Sequence, residues 1–219
     1  MPPATNSTAD VSAWLTTDFI ASFERDVDPT IWTPIPYEGG FHERGFFAIA
    51  VLTLTYCDAM AGLITGCASS DGTEATVRFI ETEVAPNAGD RAVSTRYVAR
   101  AAALLQMYRH GPAHQREPGL LDWTGTQVAW CLMRGGPVAR HLRLTRRAPW
   151  YHLHVDVDLL NAHVLATFKA IRERARRDPN LARRIYEGAV EASSPQTPRC
   201  GPAGYVGLKL TAMLQNPDT

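Results

Sequence analysis

The sequence predicts a mainly α-helical protein in which a small β-sheet region is inserted around residues 127–157. Most of the chain repeats apolar residues at helical spacing, whereas this region alternates apolar and polar residues as strands do. Hydrophobic residues make up 45% of the 219 residues and charged residues 20%, a globular composition with enough apolar side chains for one core. We therefore expect one domain over residues 11–192, a disordered N-terminus over residues 1–10 and a linker-like tail over residues 193–219.

The helices are predicted from apolar periodicity and from the residues that begin or end helices. The predicted helices cover residues 11–26, 42–66, 72–84, 91–110, 157–177 and 179–192. Asp178-Pro179 is a typical helix start, and either Asp156 or Asp158 is expected to cap the helix that follows the strands. The second helix is apolar over nearly the thickness of a bilayer, but it contains Asp58 and lacks a flanking basic cluster. We expect it to be a buried central helix and not a membrane span.

The β region is predicted from side chains that alternate with period two. Its apolar positions fall into three groups: Val128, Trp130 and Leu132; Leu142 and Leu144; and Leu153, Val155 and Val157. β-Branched and aromatic residues are common among them, as in strands. These groups predict three short strands joined as an antiparallel meander.

The segment MYRHGPAHQ contains the strongest candidate for a functional motif. Arg109 and His114 are separated by four residues across the end of a predicted helix, and His110 occupies the second position. If the second residue must be Asn, Asp or His, the number of chance matches in this composition falls to about 0.07. Arg147 and His152 have the same spacing but fail this condition. The alternative interpretation is that Arg109 only complements the helix dipole and that His114 is a loop residue.

The hexapeptide RHGPAH resembles the signature of the HEPN superfamily (higher eukaryotes and prokaryotes nucleotide-binding). The resemblance implies an all-helical core and, in many members, a metal-independent endoribonuclease that acts as a symmetric homodimer in host defence, toxin–antitoxin pairs or RNA processing. It implies Arg109 and His114 as catalytic residues, with His110 in the same motif and Tyr108 beside it. Asp58 resembles the buried polar residue that supports such sites, although a helix-packing aspartate is an equal alternative.

The chemistry of these residue types agrees with RNA cleavage. Histidine titrates near neutral pH and can serve as base or acid for a 2′-hydroxyl that attacks its own phosphate. Arginine binds phosphate oxygens with two parallel hydrogen bonds and stabilises the charge of the transition state. This chemistry requires neither a cofactor nor a metal. The expected partners are RNA, a second copy of the chain and a possible antitoxin or regulatory protein.

The net charge of zero conceals an uneven distribution of charge along the chain. Residues 1–99 carry five basic and 13 acidic side chains, whereas residues 134–184 carry 12 basic and four acidic ones. Such a separation predicts a basic face that could meet phosphates, with Arg172, Arg176 and Arg183 as RNA-binding candidates; solvated helix faces are the alternative. The start of the chain shows no signal-peptide pattern, so we expect a cytoplasmic protein.

Two other functions stay open at this level. The segment HLHVDVD predicts a strand with His152, His154, Asp156 and Asp158 on one face, a pattern that invites a metal-dependent hydrolase. The simpler interpretation of that face is a solvent-exposed polar surface. The third possibility is a catalytically silent HEPN-like domain that binds a nucleotide or a partner protein.

Overall fold

Helices account for most of the structure. The computed structural model describes residues 1–28, 44–65, 72–107, 121–123 and 125–194. The helices are α1 (Thr8–Trp14), α2 (Ala21–Asp26), α3 (Arg44–Thr65), α4 (Gly72–Phe79), α5 (Arg91–Leu105), α6 (Val157–Ala175) and α7 (Pro179–Ser193). The mainly α fold class is therefore confirmed.

The N-terminal helix begins earlier than the periodicity predicts. Ser7 caps α1 by accepting a hydrogen bond from the Asp10 N–H at 3.1 Å, so residues 8–10 form a helical turn instead of the expected disordered segment. The indole N–H of Trp14 donates to the carbonyl oxygen of Met1 at 2.7 Å. A π-helical segment, Leu15–Ile20, connects α1 to α2.

The core is centred on the aromatic side chain of Phe168 in α6. Its ring lies 5.3 Å from that of Phe19 and 5.1 Å from that of Phe23, in edge-to-face geometry. The ring of Phe79 approaches it from the other side at 6.4 Å. Phe168, Phe23 and Phe79 are buried, so this cluster joins the N-terminal helices, the end of α4 and α6 into one core.

Helix α3 packs against α4, α6 and α7. The predicted burial is confirmed for one face, which includes Leu54, Met60 and Leu63. Its window Ala48–Thr65 is long and apolar enough to cross a membrane by length and composition, and 44% of that window is buried inside the structure.

The β region forms a four-stranded mixed sheet and not the predicted three-stranded meander. The strands are β1 (Leu121–Trp123), β2 (Thr126–Met133), β3 (Leu144–Arg147) and β4 (Trp150–Asp156), in the order β1-β2-β4-β3. β2 pairs with β4 in parallel, from Val128 opposite Tyr151 to Met133 opposite Asp156. Parallel pairing is possible because residues 134–149 form a connection long enough to return the chain to the starting end of the sheet. β3 folds back on the far side of β4 as an antiparallel edge strand.

Directly before β3, residues 142 and 143 form a β-bulge that the alternation pattern conceals. The Leu142 N–H donates to the His154 carbonyl oxygen at 2.7 Å, and the His154 N–H donates to the Arg143 carbonyl oxygen at 2.9 Å. Leu142 and Arg143 therefore both lie opposite His154, and the backbone of Leu142 is in the left-handed region at φ 58°. Leu142 is fully buried, so the bulge places this side chain in the core instead of extending β3.

Helix α7 approaches α3 closely at Gly188. A Cβ atom at this position would lie 2.8 Å from the Leu63 Cα and 3.0 Å from the Leu63 carbonyl oxygen. These are backbone atoms that cannot rotate away, so the two helices would have to separate. We predict that Gly188→Ala lowers the free energy of unfolding by about 1–3 kcal/mol in urea denaturation, the usual cost of overpacking.

Val190→Ala on the same helix is the matched control. Val190 is 37% exposed, so its truncation should change the free energy of unfolding by no more than about 0.5 kcal/mol. Equal stability of Gly188→Ala and the unsubstituted protein would show that the helices do not meet at this position.

Candidate functional site

The residues of the RHGPAH motif lie outside the described residues. Arg109, His110, His114 and Tyr108 all belong to residues 108–120, which the structure does not describe. The chain that leads to them is anchored, because Leu104, Leu105 and Met107 at the end of α5 are buried in the core.

Asp58 has a hydrogen-bond partner on the neighbouring helix. The hydroxyl of Thr76 in α4 donates to its Oδ1 at 2.6 Å, and the aspartate is half-buried. This bond joins α3 to α4 and supports the interpretation of Asp58 as a helix-packing residue. Asp58 also lines a cavity of about 370 Å³ between α3 and α7.

The arginines that the sequence marks as RNA-binding candidates have carboxylate partners on their own helices. Arg172 and Arg176 both pair with Glu173, at 2.6 and 3.2 Å. Arg183 lies 3.9 Å from Glu187 on α7. These exposed pairs reduce the free positive charge that α6 and α7 present to a phosphate backbone.

The polar residues of HLHVDVD do not form one solvent-exposed strand face. Asp158 lies in the first turn of α6 and pairs with Arg134 at 2.9 Å, and Asp156 is fully buried. Asp156 caps α6, as one of the two predicted alternatives, by accepting hydrogen bonds from the N–H groups of Asp158 and Leu159. Within the described part of the chain, no group of three His, Cys, Asp or Glu side chains is arranged to hold a metal ion.

An arginine-lined cavity of about 500 Å³ opens at the β3–β4 side of the sheet. The lining residues are Cys131, Met133, Arg140, Arg143, Thr145, Arg146 and His154. The described residues of this lining include no carboxylate. Within the described residues, no ion pair involves Arg140, Arg143 or Arg146, in contrast to Arg172, Arg174, Arg176 and Arg183 near the C-terminus of the described chain. We refer to this set of residues as the arginine cavity.

The arginine cavity has a hydrogen-bonded wall. The Thr145 hydroxyl lies 2.8 Å from His154 Nε2, which fixes the orientation of that imidazole ring. Arg140 ends a 3₁₀ turn in which its N–H donates to the Pro137 carbonyl oxygen at 2.7 Å. The Arg143 N–H in turn donates to the Arg140 carbonyl oxygen at 3.0 Å. Two of the three guanidinium groups therefore project from short, tied segments of backbone.

A second polar cluster, Tyr97, His141 and His163, is buried between α5, the sheet and α6. The Tyr97 hydroxyl lies 3.0 Å from His141 Nε2 and 3.1 Å from His163 Nδ1. His141 Nδ1 accepts a hydrogen bond from the Asp156 N–H at 3.1 Å, so this nitrogen carries no proton. In neutral His141 the proton is therefore on Nε2, which donates to Tyr97, and the Tyr97 hydroxyl donates to His163.

This cluster favours uncharged side chains. Burial, His163 and Arg96 lower the pKa of His141 from 6.5 to about 3. Burial also lowers the pKa of His163, and it raises the pKa of Tyr97 well above its ordinary value. The cluster links the sheet to the helices through hydrogen bonds, but it does not supply a charged group near neutral pH.

Sequence reasoning missed both the arginine cavity and the buried cluster, although each left a signal. Between Asp122 and Asp156 the chain contains no acidic residue, so the arginines in this stretch have no local carboxylate. His163 occupies the apolar stripe of α6, one residue before Val164 and three after Leu160, a position that indicates a buried histidine.

Comparisons of this chain with protein-family models, with curated proteins and with solved structures find no match. The class of protein is therefore inferred from the residues themselves.

The lowered pKa of His141 predicts that stability depends on pH. Between pH 6.5 and 3 the unfolded chain binds a proton that the folded His141 does not, so folding stability falls as the pH decreases through this range. The titration of His141 alone should lower the free energy of unfolding by on the order of 2 kcal/mol when the pH decreases from 7 to 5. Urea denaturation at pH 7, 6 and 5 measures this loss.

His141→Gln is the control for this assignment. The variant is expected to be less stable at pH 7, because a buried hydrogen-bonded group is replaced, but to show a smaller loss between pH 7 and pH 5. A pH dependence that is unchanged in the variant would assign the titration to other groups.

Proposed function

We propose that this protein is a metal-independent endoribonuclease of the HEPN type that acts as a homodimer. The observation that carries the proposal is the motif RHGPAH, with histidine at its second position, directly after a helix whose last turns are buried in the core. The helical architecture on both sides of the motif is compatible with such a nuclease. The uncompensated guanidinium groups of the arginine cavity give the chain a second feature suited to a phosphate-bearing substrate.

In the proposed reaction, His114 removes the proton of an RNA 2′-hydroxyl. The resulting oxygen attacks the adjacent phosphorus, which forms the P–O2′ bond as the P–O5′ bond breaks. Arg109 stabilises the additional negative charge on the phosphorane oxygens. The leaving O5′ receives a proton from the second histidine of the composite site, so the products are a 2′,3′-cyclic phosphate and a 5′-hydroxyl.

A homodimer supplies the second proton-transfer group. A single histidine cannot easily act as base and acid on opposite sides of an in-line displacement. A two-fold contact between copies of the chain would bring two motifs to one phosphate and solve this problem without another residue type.

The first prediction from this proposal concerns the motif residues. The purified protein should cleave single-stranded RNA in excess EDTA and leave 2′,3′-cyclic phosphate ends. His114→Ala should lower the cleavage rate by about 10²–10⁴-fold because it removes general acid–base catalysis. Arg109→Ala should lower it by about 10²–10³-fold because it removes transition-state stabilisation. Gel analysis with labelled RNA measures both rates.

Arg91→Ala is the matched control, because Arg91 is an exposed residue at the start of α5, far along the helix from the motif. It should retain the full cleavage rate. Cleavage that requires a divalent metal and survives His114→Ala would refute the proposed mechanism.

The second prediction concerns the dimer. If two motifs form one site, the specific activity should fall when the protein is diluted below its dimer dissociation constant, because the monomer lacks the second histidine. Analytical ultracentrifugation and cleavage rates over the same concentration range measure this. A monomer whose specific activity stays constant on dilution would exclude the composite site.

A further inference from the structure

The arginine cavity and an exposed tryptophan occur together on the face of the sheet that includes His152 and His154. We propose that this face is a binding surface for single-stranded RNA, with a backbone phosphate in the arginine cavity and a base stacked on Trp150. The choice of RNA as the ligand rests on the proposed function. The new element is a surface that binds the substrate in addition to the residues that cleave it.

The charge of the arginine cavity is the first reason. Arg140, Arg143 and Arg146 line one recess, and no carboxylate in that lining neutralises them. Cationic side chains that line one recess without a counter-charge in it favour an anion that offers several oxygen acceptors. A phosphodiester has this charge and the planar spacing of oxygens that guanidinium groups recognise.

The neutral groups of the arginine cavity suit the same ligand. The Thr145 hydroxyl and the His154 ring are already bonded to each other, so the recess has polar atoms of fixed position beside its cations. A volume of about 500 Å³ is within the range of small-molecule sites and admits a phosphate together with part of its nucleotide.

Trp150 is the second reason. Trp150 is 41% exposed, so its ring is accessible to a ligand. Alternation along β4 places it on the same face as His152 and His154, about 13 Å along the strand from the latter. An exposed aromatic ring at this distance from a phosphate site is the arrangement by which single strands are held, through stacking and backbone charge.

The same features disfavour a duplex. Bases inside a double helix are stacked on their neighbours and cannot reach a ring that lies on a sheet. A duplex would need a row of cationic side chains along its backbone, as the arginines of α6 suggested at the level of sequence. Arg172 and Arg176 of that row are paired with Glu173, whereas the arginine cavity accommodates one phosphate.

The test uses the full-length chain and a fluorescein-labelled, fully 2′-O-methylated 12-nucleotide RNA, which lacks the attacking hydroxyl and stays intact. Fluorescence anisotropy measures its dissociation constant at several salt concentrations. Arg140→Gln/Arg143→Gln should weaken binding by at least 10-fold and reduce the salt slope by about 0.7 for each phosphate that is no longer neutralised. Trp150→Ala should weaken binding by about 5- to 100-fold with an unchanged salt slope, and Trp150→Tyr should restore most of the affinity.

Arg78→Gln/Arg91→Gln is the matched control. It removes the same charge from exposed positions on α4 and α5, and it should bind RNA as the unsubstituted protein does. Circular dichroism melting curves identify variants that fail to fold, and Trp150→Tyr keeps the test meaningful if Trp150→Ala is one of them.

Several results would overturn the proposal. If Arg78→Gln/Arg91→Gln weakens RNA binding as much as Arg140→Gln/Arg143→Gln does, the loss of affinity reflects overall charge and not the arginine cavity. Equal affinity for a duplex RNA, or for AMP and inorganic phosphate alone, would exclude a single-strand surface. Loss of binding with Arg172→Gln/Arg176→Gln but not with Arg140→Gln/Arg143→Gln would place RNA on α6.

The two proposals fail separately. If the methylated RNA binds as expected but natural RNA is not cleaved, the nuclease proposal fails and the binding surface stands. If His114→Ala abolishes cleavage while the sheet variants bind and cleave normally, only the binding surface fails.

Discussion

The carboxylate of Asp156 is fully buried where β4 ends and α6 begins, and it joins the two halves of the structure. Oδ1 accepts hydrogen bonds from the N–H groups of Asp158 and Leu159, and Oδ2 accepts one from Gly136 at 2.7 Å. The backbone N–H of Asp156 itself donates to His141. A buried negative charge is tolerated here because it lies at the positive end of α6 and its acceptors are satisfied. A Cβ at Gly136 would lie 3.3 Å from Oδ2 and 2.9 Å from the Met133 sulfur, so a larger residue there would require these side chains to shift.

The hydrogen-bond chain that starts at Asp156 stabilises the crossover between the parallel strands β2 and β4. Gly136 belongs to the connection that leaves β2, and its bond to Asp156 fixes that connection to the end of β4. The same connection then reaches His141, which is held by Tyr97 of α5 and by the Asp156 N–H. Arg96 adds a bond to the His141 carbonyl oxygen at 2.7 Å. The crossover is thus tied to α5 at two points, through Tyr97 and Arg96.

The helices could be predicted from the sequence because their signals are local. Asp156 and Asp178 cap the helices that follow them through N–H groups two and three residues away, so residue type and spacing predicted the start at Asp178 and restricted the other cap to Asp156 or Asp158. Strand pairing depends on partners that are distant in sequence, and alternation gives the same pattern for parallel and antiparallel neighbours. The face of HLHVDVD was misjudged for the same reason, since only the tertiary structure reveals that the Asp156 carboxylate is covered. The candidate catalytic residues of the motif could be named from sequence, but their arrangement is not decided by spacing alone.

The arginines of this chain differ in what they can bind, and the positions of the carboxylates decide this. On α6, Glu173 pairs with its chain neighbour Arg172 and with Arg176, which lies three residues further along, the spacing at which helical side chains meet. Along residues 123–155 there is no acidic side chain at all, so Arg140 and Arg143 could be neutralised only by another element. The described residues of the folded chain bring none to them. Positive charge in a recess whose described lining has no carboxylate, beside an exposed aromatic ring, is available for a ligand, whereas Arg172, Arg174, Arg176 and Arg183 are already partly neutralised by glutamates.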